Sequence, residues 1–155
     1  MRSFIRLFLA ALRLLGKAAI AVAMSRAKGN AYAIRKPLVI DGDTLFHDGK
    51  RIRILGIDAP ELDQQGGTDA KNHLIRLVGS GMLRVEPQGT DKYGRILARI
   101  MAGQIDLGRA MVAAGYALAQ DRSYKGAERS ARWGKKGLWS RGGISDPAAW
   151  RRRTA

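Results

Sequence analysis

The chain has 155 residues, of which 46% are hydrophobic, 6% are aromatic and none is cysteine. This length and apolar content suit one domain with a single core. The absence of cysteine excludes disulfides and thiolate chemistry, and two histidines cannot build a three-histidine metal site. The formal net charge of +15 favours a polyanionic partner, with nucleic acid ahead of lipid.

The N-terminal segment, residues 1–24, differs from the rest of the chain. Leu, Ile, Ala and Phe dominate it, and its four cations fall on one side of a helical wheel: Arg2, Arg6, Arg13 and Lys17. Such a basic amphipathic helix is typical of a signal peptide or of a helix on a membrane surface. We therefore expect an exported or membrane-associated protein, or a cytoplasmic one if translation starts at Met24.

Short strands with turn signals follow a polar, basic segment at residues 25–35 that reads as a linker. Three apolar pieces, at residues 37–40, 44–47 and 51–57, predict a three-stranded meander. The Asp48-Gly49 pair between the second and third pieces is typical of a tight hairpin.

Two further strands and three helices are predicted beyond the meander. Apolar residues at helical spacing behind a Thr68 cap predict a first helix to Val78, and residues 82–86 and 95–101 read as strands. Asp106 is predicted to cap a second helix, and a third extends over about residues 124–136. Five short strands with three small helices favour a mainly β fold, a small closed barrel, over a doubly wound sheet.

Acidic and basic residues concentrate in three short stretches. Ile40-Asp41-Gly42-Asp43-Thr44 places two carboxylates on the same side of an extended chain. Arg53 lies near the start of the next strand, which breaks at Asp58-Ala59-Pro60-Glu61. Asp91-Lys92-Tyr93-Gly94-Arg95 presents a second arginine after a turn. Carboxylate and carbonyl oxygens are calcium ligands, and guanidinium groups bind phosphate. Each stretch taken alone is also compatible with a solvated turn or a strand end.

In this order and at these spacings, the three stretches resemble the thermonucleases, the staphylococcal-nuclease-like family. The resemblance covers about residues 36–140 and includes Lys135-Lys136-Gly137-Leu138-Trp139-Ser140. Residues 144–151 also resemble the Pro-x-x-Trp-Arg tail of many bacterial members. The resemblance implies an OB-fold barrel of five strands with three flanking helices at 36–140, followed by a C-terminal tail at 141–155.

The chemistry that the resemblance implies is calcium-dependent hydrolysis of DNA and RNA phosphodiester bonds, with little sequence specificity and with 3′-phosphate ends. It implies that Asp43, Asp58 and the backbone carbonyl of Ala59 bind Ca2+. Asp41 would contact these ligands without binding the ion itself. Glu61 would hold the attacking water as general base.

The same resemblance assigns Arg53 and Arg95 to the substrate phosphate. Lys92 and Tyr93 match positions that contact substrate, although a role in holding the turn explains them equally well. We expect DNA and RNA as substrates and a monomeric protein.

Two other classes of function stay open at this point. A noncatalytic OB-fold module would bind nucleic acid by charge alone, although the full set of acids and arginines argues against it. A lipid-surface protein would depend on residues 1–24. The terminal run Arg151-Arg152-Arg153 is expected to be solvated, with a nonspecific phosphate contact as the alternative.

Overall fold

The computed structural model describes residues 30–154. The predicted N-terminal helix at 1–24 and the first part of the predicted linker lie outside the described residues, so the export or membrane role stays a prediction. Over the range that the structure describes, no helix combines the length and the apolar character needed to cross a bilayer.

The described β structure consists of nine short strands: β1 (Tyr32–Arg35), β2 (Leu38–Val39), β3 (Thr44–His47), β4 (Lys50–Ile54), β5 (Ile57–Asp58), β6 (Met82–Thr90), β7 (Ile96–Ala102), β8 (Ile105–Asp106) and β9 (Leu118–Ala119). It is accompanied by four α-helices: α1 (Gly67–Val78), α2 (Leu107–Ala113), α3 (Lys125–Trp133) and α4 (Pro147–Thr154). Two 3-10 helices flank α3, at Arg122–Tyr124 and Gly137–Arg141.

Seven strands form one curled, mixed sheet in the order β1-β6-β7-β4-β3-β2, with β8 added to β7. Strands β4 and β7 are parallel, and the other paired strands of this sheet are antiparallel. Strands β5 and β9 form a separate antiparallel pair. The prediction of a mainly β, OB-fold-like barrel with flanking helices is confirmed as a curled half-barrel.

The core lies between the curled sheet and the helices. Strand side chains reach it from alternate positions, and helical side chains reach it from one face. Its fully buried members are mainly aliphatic and include Leu45, Ile52, Ile54, Leu74, Leu83, Ile100, Leu107 and Met111. Each such side chain contributes about 1.5–3 kcal/mol when it is removed from water. Since β3 and β4 carry three of these residues, the core fixes the strands that bear the predicted site.

The strands differ from the prediction in the added β1, in the division of the third predicted strand, and in the two further short strands β8 and β9. Strand β1 lies within the predicted linker at 25–35, pairs with β6, and buries Ile34 in the core. The predicted strand at 51–57 is interrupted at Gly56, where φ is 82°, and becomes β4 and β5. This break matters for the site, because it turns Asp58 out of the main sheet and onto β9.

The observed helices also differ from the predicted ones in where they begin and in how many there are. Helix α1 is capped by Gly66 and begins at Gly67, so the prediction of a Thr68 cap is wrong. Gly66 has a left-handed φ of 88°, and a Cβ there would lie 2.7 Å from Leu138 Cδ1. Asp106 does cap α2, since its Oδ1 accepts a hydrogen bond from the Arg109 N–H at 3.1 Å. Helix α4 adds a fourth helix within the predicted tail.

Candidate active site

The Asp41-Gly42-Asp43 loop joins β2 to β3 and approaches the end of β5 closely. Asp41 Oδ1 accepts a hydrogen bond from the Asp43 N–H at 2.9 Å, which holds the turn. A Cβ on Gly42 would lie 2.6 Å from the Ala59 Cβ, so only glycine fits this approach. As a result Asp43 Oδ2 accepts a hydrogen bond from the Ala59 N–H at 3.0 Å.

Arg53 on β4 bridges the two buried carboxylates. Its Nη1 donates to Asp43 Oδ1, while its Nη2 donates to Asp58 Oδ1 at 2.8 Å and to the Ile57 carbonyl at 3.3 Å. The strand register explains the first contact, because Thr44, next to Asp43, lies opposite Arg53. One guanidinium therefore holds together two acids that lie 15 residues apart in the sequence.

These contacts compensate only part of the cost of burying the negative charge of Asp43. Burial raises the pKa of Asp43 to about 6, against the lowering effect of Arg53, and the neighbouring Asp41 carboxylate adds to the rise. A buried carboxylate whose pKa lies above the ordinary value of 3.8 gains free energy from a further cation.

A second guanidinium, from Arg151 on α4, joins Asp58 to Glu61. Arg151 Nη1 and Nη2 donate to the two Asp58 oxygens, each at 3.0 Å, and Nη1 also donates to Glu61 Oε1 at 2.6 Å. The hydrogen bonds that Arg151 donates to Asp58 raise the pKa of Arg151, so it stays a cation. The expectation that the terminal run is solvated is therefore wrong for Arg151.

An open cleft of about 810 Å³ adjoins this cluster. Residues of strand β4, of the β6–β7 turn and of helix α4 line it. Its charged lining consists of one carboxylate and five guanidinium groups: Glu61, Arg51, Arg53, Arg95, Arg151 and Arg152. Such a surplus of positive charge in a concave site favours a polyanionic ligand.

The β6–β7 turn presents Arg95 to the cleft. Asp91 Oδ1 accepts hydrogen bonds from the Tyr93 and Arg95 N–H groups at 2.9 and 3.0 Å, and its Oδ2 accepts from Arg95 Nε at 2.8 Å. Tyr93 also lines the cleft and is 73% exposed. The Lys92 ammonium instead lies 5.0 Å from the centre of the Tyr93 ring, and Lys92 is not among the cleft-lining residues.

The donor set at this site fits a hard divalent cation. Asp43 and Asp58 supply carboxylate oxygens, and the peptide of Ala59 adjoins both. Among residues 30–154 no group of three or more acidic or histidine side chains converges as a metal site. Carboxylate and carbonyl oxygens are the ligands that Ca2+ takes in proteins, with water completing a shell of six to eight oxygens.

The structure brings together most of the residues that the sequence predicted. Asp41, Asp43, Arg53, Asp58 and Glu61 form one hydrogen-bonded cluster with Arg151, and Arg95 and Tyr93 lie in the adjoining cleft.

Sequence reasoning missed Arg51. Arg51 had a usable signal, since it lies two residues before Arg53 and so on the same strand face. The terminal run Arg151-Arg152-Arg153 was expected to be solvated, with a nonspecific phosphate contact as the alternative, and the contacts of Arg151 with Asp58 and Glu61 were not predicted.

Comparisons with known proteins agree with the family resemblance seen in the sequence. The family model described as "Staphylococcal nuclease homologue" matches residues 51–141. An uncharacterized endonuclease of Haemophilus influenzae is 31% identical over 141 residues, covering 84% of this chain and 78% of the relative. An uncharacterized endonuclease of Escherichia coli is 33% identical over 125 residues, covering 74% and 82%.

A plant relative is similar over a shorter part of its length. The probable staphylococcal-like nuclease CAN3 of rice is 32% identical over 108 residues, covering 66% of this chain. The chain spans 25–35% of the length of the rice relatives that it matches. The family match covers more than half of the chain, and the bacterial relatives are covered over most of their length. The chain therefore belongs to the staphylococcal nuclease homologue family.

Proposed function

We propose that the protein is a calcium-dependent nuclease that hydrolyses phosphodiester bonds of DNA and RNA with little sequence specificity and leaves 3′-phosphate ends. The observation that carries this proposal is the cluster of Asp43, Arg53, Asp58 and Glu61 beside a cleft rich in arginine. Acids for a cation and guanidinium groups for a phosphate are the two components that phosphoryl chemistry requires.

Asp43, Asp58 and the Ala59 carbonyl would hold Ca2+, with Asp41 keeping the loop in place through its bond to the Asp43 N–H. When bound, the ion would neutralise charge that develops on the phosphoryl oxygens. The same oxygens of Asp58 are bonded to Arg151. Ca2+ and Arg151 would therefore compete for the Asp58 carboxylate.

Glu61 is the candidate general base. It lines the cleft, so its carboxylate can accept a proton from a water molecule as the water oxygen attacks phosphorus. The bond from phosphorus to the 5′-oxygen breaks, the 5′-oxygen takes a proton from solvent, and the phosphate stays on the 3′ side.

Arg53 and Arg95 would bind the phosphoryl oxygens. Both line the cleft, and Arg95 uses only Nε on Asp91, which leaves its terminal nitrogens for a ligand. A planar guanidinium donates two parallel hydrogen bonds to a phosphate, which a lysine does not.

The test is digestion of single-stranded DNA, duplex DNA and RNA by the full chain, with Ca2+ or with chelator. Glu61→Gln and Arg53→Lys are the variants, and Lys71→Gln on α1, outside the cleft, is the control. We expect calcium-dependent cleavage that yields 3′-phosphate ends, and losses of about 100-fold or more in both site variants.

Two results would contradict the proposal. Cleavage that persists in chelator would remove calcium from the mechanism. Salt-sensitive binding with no cleavage by the wild-type protein would leave a noncatalytic nucleic-acid-binding module in place of the enzyme.

A further inference from the structure

We propose that α4 forms a second wall of the substrate cleft and that its Arg152 binds the phosphate next to the one that is cleaved. This inference rests on the proposed nuclease function and deepens it. It concerns residues 147–154, which lie beyond the family match at 51–141.

Helix α4 is held in place by contacts that do not involve Arg152. Gln64 Nε2 donates to the Ser145 carbonyl at 2.9 Å, and Trp150 Nε1 donates to Asp63 Oδ1 at 3.2 Å. Pro147, at the start of the helix, is buried. These contacts dock the helix on the segment that follows Glu61, so one face of α4 is fixed against the site.

The face of α4 that lines the cleft is defined by helical spacing. Ala148, Arg151 and Arg152 lie three and four residues apart, and all three line the cleft. Arg153 is not among the lining residues, because its guanidinium lies over the Trp150 ring, 5.5 Å from the centroid. Two adjacent arginines of one helix therefore have different surroundings.

The charges of the cleft-lining arginines are compensated unequally. Arg151 is bonded to Asp58 and Glu61, whereas Arg152 has no carboxylate within 4.0 Å in the described range 30–154. Arg51, on β4, also lines the cleft and likewise has no acidic partner in that range. Guanidinium groups that line one cleft without acidic partners repel each other, and an anion between them relieves that repulsion.

The anion that fits is a further phosphate of the same polynucleotide. Arg53 and Arg95 are assigned to the phosphate that is cleaved, which leaves Arg152 for a neighbour along the chain. A contact of this kind adds affinity without base specificity, since the phosphate carries no sequence information.

The test is binding of a fluorescent single-stranded 12-nucleotide DNA to the full chain in chelator, followed by anisotropy over a range of salt concentrations. The variants are Arg152→Gln and the matched control Arg153→Gln. Arg152→Gln should weaken binding by about 3- to 10-fold and lower the salt slope by about 0.7, the value for one lost phosphate contact on a single strand. Arg153→Gln should stay within about 2-fold of wild type and keep the slope.

Equal effects of the two variants would overturn the inference, because they would show only the loss of one positive charge. Unchanged binding by Arg152→Gln would overturn it as well. Arg152 is exposed, and an unchanged melting temperature excludes unfolding as the cause.

Cleavage assays separate this inference from the proposed function. If wild type cleaves and Arg152→Gln raises KM without lowering kcat, both stand. If wild type cleaves and the Arg152→Gln variant matches it in binding, only the inference fails. If wild type binds through Arg152 but does not cleave, the nuclease proposal fails and the phosphate site stands.

Discussion

Arg151 donates one hydrogen bond to each carboxylate oxygen of Asp58, both at 3.0 Å. The bidentate pair joins the last helix of the chain to a short strand 93 residues earlier. It also places a fixed cation on the oxygens that we assign to Ca2+, so the two cations compete for one carboxylate.

Removal of this competitor should tighten calcium binding. We expect Arg151→Gln to lower the Kd for Ca2+ by about 10-fold, since a hydrogen-bonded charge pair of this kind contributes on the order of 1.5–3 kcal/mol. Titration calorimetry without nucleic acid measures it, with Arg153→Gln as a control of equal charge change. A Kd that is the same in both variants would contradict competition at Asp58.

Removal of Arg53 should destabilise the fold in chelator. Asp43 and Asp58 are each 3% exposed and share this guanidinium. Loss of one partner of a buried ion pair costs about 3–5 kcal/mol. We therefore expect Arg53→Ala to lower the free energy of unfolding by about 3 kcal/mol in urea denaturation.

Calcium should restore part of the stability lost in Arg53→Ala, because the ion replaces the missing positive charge. The control is Arg51→Ala, an exposed residue of the same strand, for which a change within about 0.5 kcal/mol is expected. An equal rise in the melting temperature of both variants would contradict the prediction that Ca2+ replaces the charge of Arg53.

Gly42→Ala tests the close approach of the loop to Ala59. The added Cβ would lie 2.6 Å from the Ala59 Cβ and 2.8 Å from the Ala70 Cβ, so the loop must move. We expect a loss of about 1–3 kcal/mol in unfolding free energy, together with weaker calcium binding.

The matched change for Gly42→Ala is Gly126→Ala in α3, where nothing lies within 4 Å of the new Cβ. There, alanine should stabilise the helix by about 0.5–1 kcal/mol. Equal stability of Gly42→Ala and wild type would show that the loop is not held tightly.

Glu128 should make stability depend on pH. Burial by itself would raise its pKa, but hydrogen bonds from the Ala119 N–H, Arg132 and Lys125 outweigh burial and hold the pKa below the ordinary value of 4.5. The unfolded chain then binds more protons than the folded one below pH 4.5, and stability falls as the pH passes down through the folded-state pKa.

Glu128→Gln should reduce the loss of stability at low pH. It should also lower the free energy of unfolding at pH 7 by about 1–3 kcal/mol. Urea denaturation at pH 7 and at pH 3 measures both effects. Glu86→Gln is the control, because the partner of Glu86 is the exposed Arg84, and its expected effect is below about 1 kcal/mol. Parallel stability curves for wild type and Glu128→Gln would contradict the prediction.

The sequence by itself determined the local features of this protein. The Asp48-Gly49 turn adopts positive φ at both residues, as the hairpin pattern predicts, and Asp106 caps α2. These features depend on neighbours within four residues. The three charged stretches were also found, because their spacing is family-specific, and they led to the correct fold class.

Only the tertiary structure decided how distant segments meet. Gly56 breaks the predicted strand, so that Asp58 pairs onto β9 and lies within reach of Arg53. Strand β1 is short, and its exposed side is polar. It forms a strand because it pairs with the edge of β6 and because Ile34 is buried in the core.

Arg151 shows most clearly what the sequence alone does not predict. Its sequence neighbours, two further arginines, are typical of a solvated terminus. Its partners lie 90 and 93 residues away, and only the docking of α4 brings them within 3.0 Å. Charge in the sequence predicts what a residue attracts, whereas packing decides which oppositely charged groups are close enough to bind it.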